Sequence, residues 1–194
     1  MLSYKDLLDL VNKSDFTLIG YTFKEERVKD EFISNFSFIE IDEISSSFSF
    51  KSFLRDLKLK SILENGESVK NPDYILLDIN NIRIEEKDSL GGRQKVIRKI
   101  IEKIREDVYR DYSSEFPAKP QYKVIFTCSL YNSGTNSNDN EISNFSGGSG
   151  PIFTSDLVLS IKDNKIKVLK NRFGNNGDEI VYNFQDNKKT IIFA

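Results

Sequence analysis

The chain has 194 residues, enough for one domain with a sizeable core, and its 38% hydrophobic and 30% charged residues are those of an ordinary folded domain. A formal net charge of −2 excludes a global electrostatic pull toward nucleic acid or membrane, while leaving room for a local basic patch. The absence of His removes the usual general base near neutral pH, and a single Cys, Cys128, excludes an intrachain disulfide and a cysteine zinc site.

The first element is a short helix over residues 4–12, within an N-terminal segment 1–13. Ser3 is placed to cap it, and Leu7, Leu8 and Val11 share one face. Acidic residues interrupt the apolar residues of MLSYKDLLDLV, so the segment does not read as a signal peptide. Phe16–Tyr21 reads as a buried strand. KEERVKDEFISNF follows as a helix over 24–35, with acidic residues near its start, where the helix dipole favours them. FSFIEID, 36–42, is a second strand. Residues 49–64 form an amphipathic helix carrying Phe50, Phe53, Leu54, Leu57 and Ile62, closed by Asn65-Gly66.

Asp73-Tyr74-Ile75-Leu76-Leu77-Asp78 is apolar along its middle and ends in a carboxylate, the pattern of a strand buried on both faces in a parallel sheet. Residues 93–112 give the clearest helix, with Val96, Ile97, Ile100, Ile101, Ile104 and Val108 on its buried stripe and its charges on the solvated face. Pro117 and Pro120 bracket a loop. Tyr122 to Leu130 is a fourth strand, and Cys128 within it reads as a buried structural thiol.

Residues 131–150, YNSGTNSNDNEISNFSGGSG, are low in complexity and read as a flexible functional loop. Four short strands follow: DLVLSIKD, KIKVLKNRF, DEIVYNF and KTIIF. Their sharpest turns are at Asp163-Asn164 and Asn175-Asn176-Gly177. Strands and helices alternate first and strands alone follow. That order predicts an α/β fold with a mainly parallel central sheet flanked by helices and an antiparallel C-terminal extension. No run approaches the ~20 apolar residues of a membrane span. The expectation is a soluble, cytoplasmic protein of one domain, 1–194, that does not engage a membrane.

Three stretches carry chemistry. YILLDIN ends a buried strand in Asp78. GGSGPIFTSDLVLSI leads from the Gly/Ser-rich loop into the next strand. KNRFG places Lys170 and Arg172 two apart before a glycine turn. In this order, over roughly residues 14–184, the chain resembles the RecA-like ATPase core, closest to DnaB-like replicative helicases and related phage ATPases. The resemblance implies a RecA-like fold. It implies Asp78 as the metal-facing Asp for Mg²⁺, Glu40 (with Asp42 beside it) at the place of the water-activating Glu, and Ser129 as the polar residue after the fourth strand. It implies Lys170 and Arg172 as cations that reach the phosphate of a nucleotide on a neighbouring subunit. The loop segment would then face single-stranded DNA, with Tyr131 and Phe145 available to stack on bases beside Gly147 and Gly148. That loop contains no Lys or Arg, which argues against strong binding to a phosphate backbone.

One departure is decisive for what the resemblance implies. The family's phosphate loop, G-x-x-x-x-G-K-[ST], surrounds the phosphates with backbone N–H groups and a Lys. Here the corresponding residues are Gly20-Tyr21-Thr22-Phe23-Lys24-Glu25-Glu26-Arg27, with Gly20 and Lys24 as the only remnants and two carboxylates where polyphosphate would lie. The catalytic positions Glu40, Asp78 and Ser129 are then vestigial. The expected protein is a degenerate, helicase-like subunit that does not hydrolyse nucleotide by itself. It would act as an assembly or accessory protein in DNA replication or recombination, in a phage-infected bacterial cell if phage-encoded. Its cofactor would be none, or Mg-ATP at a subunit interface. Its partner would be further copies of itself or an intact RecA-like ATPase. A divergent active ATPase using Lys24 and a single-stranded nucleic-acid-binding module are the two alternatives.

Overall fold

A computed structural model describes residues 2–45, 48–56, 73–84, 92–110, 122–131, 145–185 and 190–193. Helix α1 (Tyr4–Lys13) starts at Ser3, whose side chain accepts from the Asp6 N–H while Asp6 receives the Ser3 N–H in return. This reciprocal cap satisfies two N–H groups that the helix itself cannot. Strand β1 (Phe16–Tyr21) is buried at every residue. A single 3₁₀ turn, Phe23–Glu25, joins it to α2 (Glu26–Ile33). β2 (Phe38–Ile41), the short β3 (Ile44–Ser45) and a helix α3, described over 50–56, come next. β4 (Tyr74–Asp78), a 3₁₀ turn, β5 (Ile82–Arg83) and the long α4 (Arg93–Arg110) follow.

β6 (Lys123–Ser129) leads to the one-and-a-half-turn α5 (Ser149–Thr154). Then come β7 (Leu157–Lys162), β8 (Lys165–Asn171), β9 (Glu179–Gln185) and β10 (Thr190–Phe193). The molecule is an α/β protein built on an eight-stranded sheet in the order β10-β9-β8-β7-β1-β6-β4-β2. The strands from β7 to β2 are mutually parallel, and β8, β9 and β10 extend the sheet antiparallel. β3 and β5 form a separate parallel pair.

Helices cover both faces of the parallel strands. On one face α1 and α2 pack Leu7, Val11, Val28 and Phe32 against Ile19, Tyr74, Leu76 and Ile125. On the other, α3, α4 and α5 pack Phe50, Leu54, Ile97, Ile101 and Ile152 against Leu18, Ile75, Leu77 and Phe126. Full burial of each such side chain contributes roughly 1.5–3 kcal/mol. A strand between two helical layers must be apolar at every position, which is why β1 and β4 read as unbroken apolar runs.

The expected elements are present with small shifts at their ends. The helix expected over 49–64 is described only to residue 56. The Asn65-Gly66 stop, the Pro117–Pro120 loop and residues 132–144 of the Gly/Ser-rich loop lie outside the described residues. The last two residues of that loop are helical, as the first turn of α5. Asp163 and Asn164 have φ of +53° and +59°, the left-handed pair that a two-residue hairpin requires between β7 and β8. Among the described residues, no helix is long and apolar enough to cross a membrane.

Candidate functional site at the carboxyl ends of the parallel strands

Open α/β sheets hold ligands beyond the carboxyl ends of their strands, where neighbouring connections leave toward opposite faces. Here that place is β1. Its connection goes to α2 on one face, while the connections from β4 to α4 and from β6 to α5 run over the other. The carboxyl ends of β1, β6 and β4 are level at Ile19, Thr127 and Asp78.

On the α2 face β2 and the ends of β4 and β6 line a cavity of about 180 Å³ against the helix, bounded by Lys29, Asp30, Ser34, Phe38, Glu40, Asp78 and Thr127. The register explains the meeting of Glu40 and Asp78. Glu40 pairs with Leu76, and Asp78 lies two residues beyond, so the three share one face. Asp78 is half-buried, and burial raises its carboxyl above the ordinary range. The Asn80 N–H, received at 2.8 Å, and the nearby Lys29 ammonium oppose that shift. Lys29 stands over the Tyr21 ring at 4.6 Å and pairs with Asp30 at 2.9 Å. Burial, then the Asp78 charge, push the Tyr21 phenol up to about 12.

On the other face the chain ties itself together through Asn80. Its amide donates to Ser129 Oγ at 3.2 Å, and its carbonyl oxygen accepts from Ser146 Oγ at 2.8 Å and from the Ser129 N–H at 3.4 Å. Ser129 is therefore engaged in holding the far end of the Gly/Ser-rich segment against β6. Phe145 forms a bridge with Leu130 and is 1% exposed, with its ring directly against Gly20. A Cβ on Gly20 would lie 2.5 Å from that ring and 2.6 Å from Leu130. Gly148 adopts φ of +71° to start α5, and a Cβ there would strike Gln94.

These positions correct one expectation. Phe145, expected to stack on bases, is a core residue; Gly147 and Gly148 are buried with it, and of these four residues Tyr131 is the exposed one. Gly20, read as a remnant of a phosphate loop, is where the Phe145 ring packs against the strand. Glu25, expected beside the polyphosphate position, is buried. It lies near Tyr182 of β9, whose phenol is raised by burial first and by Glu25 second. Glu26 and Lys24 remain at the surface.

The link from β1 to α2 is too short to surround a triphosphate. Thr22 donates its N–H to Ile161 O at 3.3 Å, and the Glu25 N–H closes back onto Thr22 O at 2.8 Å. Two backbone donors at the place a phosphate loop would occupy are thus already paired within the chain. Among the described residues, no three His, Cys, Asp or Glu side chains converge as metal ligands. Asp78 is a single half-buried carboxylate at the end of β4, and the Thr22 and Glu25 N–H groups of this link are not free to receive a phosphate.

The two cations lie at the opposite, amino-terminal end of the parallel strands. A bulge between Val158 and Leu159 of β7 sets Lys170 opposite Val158 and Val168 opposite Leu159, leaving Leu169 as the extra residue. Strict alternation would place Lys170 with Ile166 and Val168 on the α1 face. The bulge moves it to the α5 face. There its ammonium donates to Ile152 O, Phe153 O and Ser155 O at 3.0, 3.1 and 2.6 Å, capping the carboxyl end of α5. The loss of water around it lowers the Lys170 ammonium from its ordinary range.

Arg172 donates from Nη1 to Asp156 Oδ1 at 3.1 Å and stays 64% exposed. Asp156 is 3% exposed and accepts the Phe16 N–H on its other oxygen at 3.2 Å. Lys29 and Thr127 lie in no stretch that the sequence marks for chemistry, and Asn80 and Asp156 lie within such stretches, which give neither of them a role of its own. They become visible only when the strands are set side by side. The Cys128 thiol is buried and burial pushes it up to about 12, as a structural thiol requires.

No protein-family model matches the chain, and no curated protein is significantly similar to it.

Proposed function

We propose that the chain is a RecA-like core that does not hydrolyse nucleotide by itself and serves as an assembly or accessory subunit to a RecA-like or helicase-like ATPase, in DNA replication or recombination. The observation that carries this reading is the closed carboxyl end of β1. Phe145 and Leu130 fill the space beside Gly20, and a single 3₁₀ turn replaces a phosphate loop. Glu40 and Asp78 still share one cavity with Lys29, which is the arrangement expected of a site whose carboxylates outlived its nucleotide.

Of the two basic residues, only Arg172 retains a free face. Lys170 has three carbonyl partners within the chain. A guanidinium oriented by a buried carboxylate and open on its outer side is suited to a bidentate contact with a phosphate on a neighbour. In this reading Arg172 completes a partner's site and Lys170 holds α5 in place.

The test has two parts. The isolated protein with Mg²⁺ and ATP should show no turnover above background and no binding of a fluorescent ATP analogue. Turnover that disappears in Asp78→Ala or Lys24→Ala would overturn the proposal. Mixed with an intact RecA-like ATPase partner, the protein should raise hydrolysis, and Arg172→Ala should remove that gain while Arg172→Lys restores little of it.

A further inference from the structure

The floor of the cavity beside Asp78 is one face of the sheet. Phe38 and Glu40 of β2, Leu76 and Asp78 of β4 and Thr127 of β6 alternate with residues that point to the other helical layer, so all five project toward α2. Lys29 and Asp30 of that helix form the opposite wall. At about 180 Å³ the space is several times the ~30 Å³ that one water takes in the liquid.

The charges around it are unevenly matched. Lys29 pairs with Asp30 and lies over the Tyr21 ring. Among the described residues, neither Glu40 nor Asp78 has an ion-pair partner of its own. Burial raises the Asp78 carboxyl although Lys29 is near, as happens to a carboxylate short of opposite charge. Thr127 is a separate sign. It is 2% exposed and lines the cavity, and its hydroxyl has no hydrogen-bond partner among the described residues. A buried hydroxyl is normally paired, and this one faces a space that a ligand can enter.

We infer that this cavity binds an alkylguanidinium cation, held between Glu40 and Asp78 with its stem along Phe38 and Leu76. Three carboxylates against one ammonium oppose an anion. A compact divalent ion is poorly served too, because Lys29 stands in the wall and, among the described residues, no three acidic side chains converge on one point. A guanidinium suits each part of the site. Its charge is spread over a plane, it is weakly hydrated, and its five N–H donors can serve two carboxylates and a hydroxyl together. Glu40 and Asp78 are diagonal neighbours across the β2–β4 pair, close enough for one planar group to reach both. An ammonium is a strongly hydrated point charge with three donors and is the poorer match.

The inference does not rest on the proposed accessory function. It requires only these side chains where they stand, at the opposite end of the parallel strands from Arg172. A chain that assists no ATPase can still hold the cation, and a chain that holds none can still supply Arg172, so failure of either idea leaves the other standing.

Isothermal titration calorimetry of the full chain with n-butylguanidinium tests it, with n-butylurea as the uncharged control of similar shape. Saturable binding at one site is expected for the cation and none for the urea. Glu40→Gln and Asp78→Asn should each weaken binding about tenfold or more, the loss of one charge-assisted hydrogen bond, and Thr127→Val should weaken it by a smaller factor. Arg172→Ala should bind like the parent. Glu40 is exposed, so its variant reads the site even where a change at Asp78 disturbs the fold. N-acetyl-arginine-N-methylamide separates the two sources of the cation. Binding as tight as butylguanidinium identifies an arginine side chain of a partner protein, and loss of binding identifies a free small molecule; both agree with the inference. No saturable binding of butylguanidinium, equal binding of butylurea, parent-like affinity in Glu40→Gln and Asp78→Asn, or an equal loss in Arg172→Ala would each overturn it.

Discussion

The five parallel strands and the three-strand antiparallel extension bury their residues in different ways. β1 is buried at all six positions, between α1 and α2 on one side and the α4–α5 layer on the other. β9 alternates: Ile180 and Tyr182 are buried under the α1 face, while Glu179, Val181, Asn183 and Gln185 are exposed. Among the described residues, one half of the sheet has helices on both faces, and the other has a helix on one. The first half should tolerate almost no change of volume. The second should be sensitive on one face and indifferent on the other.

The largest effect is expected where the Phe145 ring meets Gly20 in the parallel half. Phe145→Ala should cost about 3–5 kcal/mol in urea unfolding, the usual loss for a buried phenylalanine. Gly20→Ala should cost about 1–3 kcal/mol, because the added methyl meets the Phe145 ring and Leu130 on a strand that cannot move aside. In a Phe145→Ala background the same Gly20→Ala change should cost much less, since its obstacle is gone. Additive losses in that double-mutant cycle would show that Phe145 does not occupy the space beside Gly20.

The junction between the halves comes second. Asp156→Ala removes a buried acceptor from the Phe16 N–H and from Arg172. Leaving such a donor without a partner costs about 1–3 kcal/mol. Arg172→Ala removes an exposed charge and should cost less than about 1 kcal/mol. If the two variants lose equal stability by thermal melting, the pair is not organised around the buried carboxylate.

The third expectation concerns pH, and it separates the cavity from the extension. The Asp78 carboxyl is raised in the folded chain by burial. Its neutral form is therefore the better accommodated one. The favourable contribution is fully present below the unfolded pKa and is lost as pH rises through the folded value. Asp78→Asn, which stays neutral and can still accept the Asn80 N–H, should gain stability relative to the parent as pH rises from about 3 to 7. A difference that shrinks or stays flat over that range would mean that burial does not dominate at Asp78.

The smallest effect is expected on the open face of the extension. Val181→Thr should change stability by no more than about 0.5 kcal/mol, because its side chain meets solvent and keeps its β-branched fit to the strand. A loss as large as that at Asp156 would mean that something covers this face in solution.

Much of this architecture was legible in the sequence, and the reason is local. α4 shows its buried stripe through Val96, Ile97, Ile100, Ile101, Ile104 and Val108, all of which are in the core. Ser3 announces the start of α1, and Asp163-Asn164 announces a sharp turn, which the structure shows to be left-handed. Each of these signals depends on residues within about one turn of one another, so periodicity and capping chemistry reveal them. The parallel class of the sheet followed from the alternation of strands with helices, and the antiparallel extension from strands joined by short turns.

The candidate site was legible only in part. Glu40 and Asp78 were marked as carboxylates near strand ends, but their place in one cavity with Lys29 depends on β2 pairing with β4 in a particular register. Lys170 looked like a free cation because alternation gives no warning of the bulge that turns it onto the carbonyls of α5. Phe145 looked like a loop residue because its neighbours are Ser, Asn and Gly, yet its ring closes over Gly20, 125 positions earlier in the chain. Residue order determined which segments became helices and strands. Tertiary structure alone decided which side chains met, because strand register, one bulge and the burial of Asp156 are set by pairings between distant segments, and no local pattern records them.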